Sequence, residues 1–231
     1  DNINSVTSPC ASSNNSANAA FARYSGTTYT TKYNEQTNDN AYIGFMYGTA
    51  GSSKYAETHA NINKSTILQN LETWYKKNLA LYESKLADTI WCNDKSTVSG
   101  DLGYGTNGTY YAAYNRLVST KQPTLICPND NNAGKLSKFT VSDTSNGNGN
   151  LTYKIGLLTI DEITFAGYVN GWLNLGSYLQ ENTTGTNWWL LSPAYLNGNA
   201  FVYSVDGSGN FGHSALFLKN GIRPSISLVS S

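Results

Sequence analysis

Apolar positions recur at helical spacing in one long stretch of the chain, residues 65–88. Its apolar members are Ile67, Leu71, Trp74, Tyr75, Leu79, Tyr82 and Leu86. This spacing predicts an amphipathic helix with one face turned toward a core. Thr66 and Gln69 fit a capping box at its start. We interpret this helix as part of the scaffold.

A second helix is predicted where an apolar run gives way to acidic residues. Residues 151–159 form the apolar run and predict a buried strand. Thr159 follows as a candidate N-cap, with Glu162 three residues later and Gly167 as a stop signal. The pattern therefore predicts a strand that leads directly into a short helix.

Short strands account for the other patterned segments. We expect strands at 27–33 and 41–48, and several more from residue 186 onward, separated by Gly and Asn turns. Pro193 is expected to end the strand that holds Trp188 and Trp189. Residues 221–228 alternate like a central closing strand. The chain is thus predicted to be α+β, with a polar tail at 1–40 and a domain at 41–231.

Residues 194–220 lack this regularity, although rigid apolar segments frame them on both sides. Aromatic side chains occur there among Ser, Gly and Asn without a two-residue period, and this mixture is typical of adaptable binding faces. The framing scaffold residues are Trp188, Trp189, Leu190, Arg223 and Pro224. The predicted binding surface comprises Tyr195, Asn197, Asn199, Phe201, Tyr203, Asp206, Ser208, Phe211, His213, Ser214, Leu216 and Phe217. The alternative is a pair of hairpins whose aromatic side chains pack inward.

Composition narrows the classes of partner. The 231 residues carry no formal net charge and only 13% charged residues, which argues against nucleic-acid binding. The 17 Tyr and 21 Gly are typical of extracellular β-rich surfaces, whether binding faces or ordinary secreted domains. No apolar run has spanning length, so attachment to a membrane or pilus is expected only through a segment outside this chain.

The three cysteines suggest one disulfide. Cys92 and Cys127 each follow apolar residues in segments that look ordered, whereas Cys10 lies in a polar tail. We therefore predict a Cys92–Cys127 bridge and an extracytoplasmic location. Three reduced thiols in a cytosolic protein are the alternative.

Catalytic, metal and cofactor motifs are not evident in the sequence. His59 and His213 are the only histidines, and neither accompanies a nucleophile motif. Residues 143–150 resemble a calcium loop without its terminal bidentate acid. Asp94 and Asp101 flank a Gly-rich loop and could help to hold an ion, although solvated loop carboxylates are the simpler interpretation. We expect no enzyme activity, no metal and no cofactor.

One further regularity concerns the genetic code. Between Ala194 and Leu218 there is no Trp, Met, Gln, Glu or Lys. These are residues that no codon ending in C encodes. Changing the adenines of an AAC codon, which encodes Asn, gives codons for Tyr, Ser, Asp, His, Phe, Leu, Gly, Ala and Val. With Asn itself, these are the residue types that occur in this stretch, which suggests adenine-directed diversification.

Several motifs together carry a resemblance to a known family. The ends of the framed stretch, NWWLLSP and GIRPSISL, resemble the carboxy-terminal part of C-type-lectin-like domains of the formylglycine-generating-enzyme type. In particular they resemble the variable proteins of diversity-generating retroelements. Over residues 41–228 the chain is also similar to gut-bacterial surface proteins, whose members often begin with a type IV pilin-like helix. The supporting motifs are YIGFMYG, STILQNLETWYKKNL, LADTIWCND, YAAYNRL, PTLICP and IGLLTIDEITFAG.

The resemblance implies a C-type-lectin-like fold whose variable face, about 188–224, binds a protein or glycan ligand. It implies display on a bacterial cell surface or pilus, with a phage-encoded origin also open, and a bridge between Cys92 and Cys127. The chain departs from the resemblance in three ways. It lacks the pilin-like helix, it lacks the late cysteines of formylglycine-generating enzymes, and it lacks calcium-lectin sugar motifs. A pilin-like structural subunit whose C-terminal face packs on its neighbours is the alternative function.

Overall fold

The computed structural model describes residues 21–24, 27–130, 132–168, 179 and 185–230. The α-helices are α1 Tyr55–Thr58, α2 Thr66–Asn78, α3 Ala112–Tyr114 and α4 Ile160–Phe165. Two 3-10 segments span Asn40–Ile43 and Ala80–Lys85, and a π-helical segment, Asn115–Thr120, continues α3. The strands are β1 Arg23–Tyr24, β2 Thr27–Thr28, β3 Thr30–Thr31, β4 Met46–Tyr47, β5 Asn63–Lys64, β6 Trp91–Cys92, β7 Thr109–Tyr110, β8 Lys138–Phe139, β9 Trp188–Asn197, β10 Asn199–Val205, β11 Phe211–Ala215 and β12 Asn220–Gly221.

One six-stranded sheet organises the described residues, and this confirms the predicted α+β class. Its strand order is β11-β10-β9-β12-β3, and β7 pairs with β9 beside this path. The pairings are antiparallel except for β9 with β12, which is parallel. Three two-stranded sheets, β1-β2, β4-β5 and β6-β8, lie outside it. The three longest strands are β9, β10 and β11, and they contain most of the irregular stretch that the apolar segments frame.

Two hydrophobic clusters cover the two faces of this sheet. Trp189 and Leu191 belong to the cluster that includes Leu71 of α2. Trp188 and Leu190 belong to the other cluster, with Ile163 of α4. Because both faces are covered, β9 is apolar on consecutive positions instead of alternating.

The first predicted helix is confirmed in type, but its bounds differ. Ser65, not Thr66, is the N-cap, and its Oγ accepts from Leu68 N at 3.3 Å. The α-helix ends at Asn78, and the chain continues as the 3-10 segment. Beyond Leu79 the predicted apolar positions differ, because Tyr82 is 59% exposed whereas Leu86 is buried in the first core.

Two predicted strands are wrong. Residues 41–48 begin with the 3-10 turn, because Asp39 Oδ1 accepts from Ala41 N, and only Met46–Tyr47 is a strand. In residues 151–159, Leu151, Ile155 and Leu157 are buried as expected, but Thr152 is exposed and the segment forms only an isolated bridge, Gly156 with Ser225. A Cβ on Gly156 would lie 2.4 Å from the Trp91 ring, so the backbone itself packs against that indole.

The second helix has its predicted start and end. Thr159 Oγ1 accepts from Glu162 N at 3.1 Å, while Glu162 Oε2 accepts from Thr159 N at 2.7 Å. This reciprocal pair is the capping box that the sequence predicted. Gly167 follows with φ +99°, a conformation that suits Gly.

Pro193 does not end a strand, because β9 continues through it to Asn197. The register with β10 shifts on either side of Val202, the partner of Pro193. Such bulges tolerate a residue without an amide hydrogen. The predicted closing strand is likewise reduced to Asn220–Gly221, and Leu228 is 70% exposed.

Described residues of the segment assigned to the polar tail, 1–40, pack on the rest of the chain. Residues 1–20 lie outside the described part of the chain. Phe21 and Tyr33, however, are fully buried, and β3 pairs with β12. Trp189 Nε1 donates to Thr31 O at 2.8 Å, which ties this early segment to the central strand. Among the described residues, no helix has the length and apolar character that crossing a membrane requires.

The predicted disulfide between Cys92 and Cys127 is present. It joins β6 to an exposed loop in which Leu125 and Ile126 are 65% and 80% exposed. The bridge therefore anchors a segment that has little apolar contact of its own.

A polar cluster lies inside the first core. The Lys95 ammonium donates to Met46 O, His59 O and Asn61 Oδ1 at 2.9, 3.3 and 2.8 Å. His59 Nε2 lies 2.8 Å from Gly103 O. Desolvation lowers the pKa of Lys95 to about 7, against the raising effect of Asp130. These contacts tie the segment after β6 to β4 and to the residues that precede β5.

Candidate binding face

The β9–β10 hairpin positions the first part of the candidate face. Asn197 pairs with Asn199 around Gly198, which has φ +69°. Both Asn side chains are exposed at this tip, and Thr37 Oγ1 donates to Asn199 Oδ1 at 2.9 Å. The tip is therefore held against the body of the domain by a side-chain contact.

Next to the tip, aromatic side chains contact each other across three strands. Tyr195 and Phe201 are direct cross-strand partners, stacked with centroids 4.7 Å apart. His213 of β11 lies 4.8 Å from the Tyr195 centroid and 5.6 Å from that of Phe201, edge-on to both. Tyr195 and Phe201 are partly buried and His213 is exposed.

Two tyrosines that the sequence analysis did not select complete this group. Tyr110 of β7 is the cross-strand partner of Tyr195, at 5.6 Å, and is 45% exposed. Tyr114 of α3 lies 4.7 Å from Tyr110 and 6.0 Å from Tyr195. Their i, i+4 spacing in TYYAAYNRL was the available signal. We call Tyr110, Tyr114, Tyr195, Phe201 and His213 together the aromatic face.

Partial burial sets the protonation behaviour of the aromatic face. Desolvation lowers the pKa of His213 below its ordinary value, so the imidazole is neutral at neutral pH. Desolvation also raises the pKa of Tyr195, and Tyr110 and Tyr114 raise it further. Both shifts favour the uncharged form of Tyr195 and of His213. The face is therefore an uncharged surface of rings and hydroxyls.

Four of the predicted surface residues are buried and do not contribute to the face. They are Tyr203, Phe211, Ser214 and Leu216, all at most 7% exposed. Leu216 packs in the first core and Tyr203 and Phe211 in the second, while Ser214 bonds Ser204 between the strands. At Tyr203 and Phe211 the aromatic side chains therefore pack inward, as the alternative predicted.

The remaining predicted residues lie in turns. Asp206 Oδ1 accepts from Ser208 N at 2.8 Å and Asn210 N at 3.0 Å, and so closes the β10–β11 turn. This turn is at the opposite end of β10 from Asn199, about 20 Å away at strand rise. Phe217 is 47% exposed in the turn after β11. The predicted surface is thus divided between two ends of the sheet.

The predicted scaffold residues are positioned to hold the sheet. Trp188, Trp189 and Leu190 are fully buried. The Arg223 guanidinium lies 4.5 Å from the Trp188 ring centroid and donates to Leu179 O at 2.7 Å. Pro224 is partly buried beside it.

A separate cleft of about 410 Å³ lies beside the disulfide. At its wall Arg116 bonds Asp161 through Nε and Nη2 at 3.1 and 3.0 Å, and Asp94 through Nη1 at 2.7 Å. Burial lowers the pKa of Arg116, but these carboxylates outweigh it and raise the pKa above its ordinary value. Asp94 is thus paired with Arg116, and Asp101 Oδ2 accepts from Tyr110 N at 2.5 Å.

The described residues contain no cluster of His, Cys, Asp or Glu suited to a metal ion. Desolvation lowers the pKa of His59 to about 3, so its buried imidazole stays neutral and packs against Tyr55 and Tyr111. Within the described part of the chain, neither histidine is bonded to a Ser or Cys nucleophile.

Comparison with known proteins gives one result. Residues 32–230 match the family described as a domain of unknown function (DUF6273). No curated protein and no solved structure matches the chain. Because the match covers most of the sequence, this chain belongs to the DUF6273 family.

Proposed function

We propose that this chain is a non-enzymatic ligand-binding domain of C-type-lectin-like fold whose aromatic face contacts the ligand. The observation that carries the proposal is the contiguous group of exposed and partly exposed rings built on β7, β9, β10, β11 and α3. Tyr and Phe rings supply large contact area with few rotatable bonds, so ordering them on binding costs little entropy.

The contacts among the rings strengthen this proposal. Tyr195 touches Tyr110 on one side and Phe201 on the other, so its ring is held before a ligand arrives. Preorganised aromatic residues dominate the energetics of many interfaces. The exposed amides of Asn197 and Asn199 at the hairpin tip provide hydrogen-bonding groups at the rim.

Diversification fits the division between scaffold and surface. The face combines variable-stretch residues, such as Tyr195 and His213, with Tyr110 and Tyr114 from outside that stretch. Substitution at exposed positions of the hairpin alters the ligand, while the buried Trp188 and Trp189 keep the sheet constant. We propose that residues 194–220 set specificity in this way.

We further propose display outside the cell, on a bacterial surface or pilus. The Cys92–Cys127 disulfide is compatible with an oxidising compartment. The ligand is a protein or glycan and not a nucleic acid, because the chain has no net positive charge. The alternative function is a pilin-like structural subunit in which the same face packs on a neighbour.

Binding screens with matched variants test the proposal. The full chain is screened on a glycan array, a folded-domain library and a linear-peptide library. Tyr110→Ser should weaken each hit at least tenfold, whereas Phe217→Ser removes a similarly exposed ring outside the cluster and should change affinity less than twofold. Thermal unfolding confirms that both variants are folded. The proposal is contradicted if both variants weaken binding of the hits equally, or if neither variant weakens it.

Sedimentation separates the alternative. A binding domain stays monomeric at high concentration, whereas a structural subunit self-associates and loses this association in Tyr110→Ser. Self-association without binding in any screen would favour the structural subunit.

A further inference from the structure

Strand β11 is an unpaired edge of the main sheet in the described part of the chain. It pairs with β10 alone and is the first strand of the sheet order. Two backbone hydrogen bonds flank this pairing, Leu216 N to Ala200 O and Asp206 N to Asn210 O. Every second pair between them is therefore hydrogen-bonded as well, namely Ser214 with Val202 and Gly212 with Ser204. Antiparallel ladders alternate between bonded and non-bonded pairs. Ser214 and Gly212 therefore bond β10.

The intervening residues have the opposite orientation. The backbone N–H and C=O of Phe211 and His213 point away from β10. His213 is exposed, whereas Phe211 is only 5% exposed, so the accessible part of this edge is centred on His213. Their spacing is the two-residue repeat that another extended strand bonds. The complement of such a row of donors and acceptors is the backbone of a second strand.

The usual protections of an edge strand are missing from β11. Its sequence, Phe211–Ala215, contains no Lys, no Pro and no acidic residue. A Cβ on Gly212 would meet nothing within 4 Å, so no described atom packs on the sheet face at this residue. Natural sheets normally block such an edge, because it templates pairing with another chain.

This edge borders the aromatic face. His213 is exposed and its ring contacts both Tyr195 and Phe201. Residues directly opposite each other in a sheet share one face. A residue paired with His213 would therefore place its side chain on the aromatic face.

We infer that β11 accepts an extended polypeptide segment as an added strand, with the segment's alternate side chains on the aromatic face. This inference rests on the proposed function and names its ligand class. Backbone bonding supplies affinity that does not depend on sequence, and the rings select uncharged apolar or aromatic side chains at alternate positions. Diversification of the face changes the selected side chains without changing the edge.

The test uses the full chain and a phage library of linear peptides of about 8–12 residues, a strand with short flanks. Selected peptides are titrated against wild type, His213→Ala and His213→Pro. Alanine removes the imidazole only, whereas proline also removes the outward N–H. We expect proline to weaken binding at least tenfold more than alanine. Equal affinity in the two variants overturns the inference.

Two measurements remove dependence on the proline variant's folding. Single N-methylation along the peptide should weaken binding tenfold or more at every second position, because alternate amides face β11. On binding, hydrogen exchange at the His213 amide should slow at least tenfold, while the Ser214 amide, bonded to β10, is already protected when free. A methylation profile without a two-residue period overturns strand addition.

The outcomes distinguish this inference from the proposed function. One outcome is that glycans or folded domains lose affinity in Tyr110→Ser but bind His213→Pro and His213→Ala equally well. That outcome overturns strand addition and leaves the aromatic face as a binding site. Peptides that depend on the edge but tolerate Tyr110→Ser overturn the role of the face instead. An absence of hits in every library overturns both.

Discussion

Tyr195 and Phe201 stand directly opposite each other in the β9–β10 hairpin, with ring planes 23° apart. Tyr110 and Tyr114 extend the contact on one side and His213 on the other. The hairpin alone places only the central pair. Pairing of β7 with β9 is what converts the pair into a surface.

Tyr203 is expected to behave as a core residue and not as a ligand contact. It is 2% exposed, and its hydroxyl has no hydrogen-bond partner in the described structure. Tyr203→Ala should therefore lower the free energy of unfolding by about 3–5 kcal/mol, the usual cost of deleting a buried aromatic ring. Tyr203→Phe should change it by less than about 1 kcal/mol. Urea unfolding measures both, and a small loss for alanine would return Tyr203 to the binding surface.

Arg116 is expected to be essential for stability. Its guanidinium compensates two carboxylates, Asp94 and Asp161, that are 2% and 6% exposed. Arg116→Met leaves both charges buried and should destabilise the fold by about 3–5 kcal/mol. Lys54→Met removes an exposed ion pair with Glu57 and should have no measurable effect. Comparable midpoints for the two variants in chemical denaturation would refute the distinction.

Stability is expected to fall in mild acid because of His59. Its pKa in the folded protein is about 3, against 6.5 for the ordinary imidazole. Below pH 6.5 the His59 imidazole is therefore protonated in the unfolded chain but not in the folded protein. The free energy of unfolding decreases as the pH falls from 6.5 to about 3. The loss attributable to His59 is on the order of 3–5 kcal/mol.

His59→Gln isolates this contribution. The amide can keep a bond to Gly103 O without titrating, so stability should vary less between pH 7 and 4 than in wild type. Unfolding midpoints at several pH values provide the comparison. His213→Gln is the comparison: burial lowers the pKa of this more exposed imidazole as well, so the variant should reduce the slope, but less than His59→Gln does. Parallel slopes for wild type and His59→Gln would exclude His59 as the cause.

The disulfide is expected to contribute substantially to stability. It closes a segment with a sequence separation of 35 residues. The chain-entropy relation assigns such a loop about 4 kcal/mol. The double variant Cys92→Ser, Cys127→Ser should lose this amount, and reductant should shift wild type to the same midpoint. Reductant that also shifts the double variant would mean that another thiol contributes.

The gene should reveal whether the variable stretch is diversified. We expect codons ending in C at the exposed positions of 194–218, and a nearby near-identical repeat that differs at adenines, beside a reverse transcriptase. Codons at the buried positions Trp188 and Trp189 should match the repeat. Genome sequencing reads this directly. Ordinary codons without a repeat would favour a fixed hairpin and the structural-subunit alternative.

The expectations that succeeded depended on local chemistry. The capping box of Thr159 and Glu162, the helical face of Leu71 and the Cys92–Cys127 pair all follow from residues near each other in sequence or from side-chain type. The expectations that failed concerned backbone pairing. Residues 151–159 have an apolar core-facing pattern, but they bond their neighbours only at single points, among them Gly156 with Ser225 and Leu158 with Leu191 of β9.

The sequence by itself determined the α+β class, the capped helix and the apolar frame around an irregular aromatic stretch, because helix caps and apolar periodicity are local properties. Tertiary structure alone decided which aromatic side chains are exposed. Tyr203 and His213 are cross-strand partners on one face of the sheet, yet one is buried under the packed helices and the other reaches solvent. Tyr110 joins the face through a pairing between distant parts of the chain. Exposure depends on what packs above each position, and no local pattern encodes that.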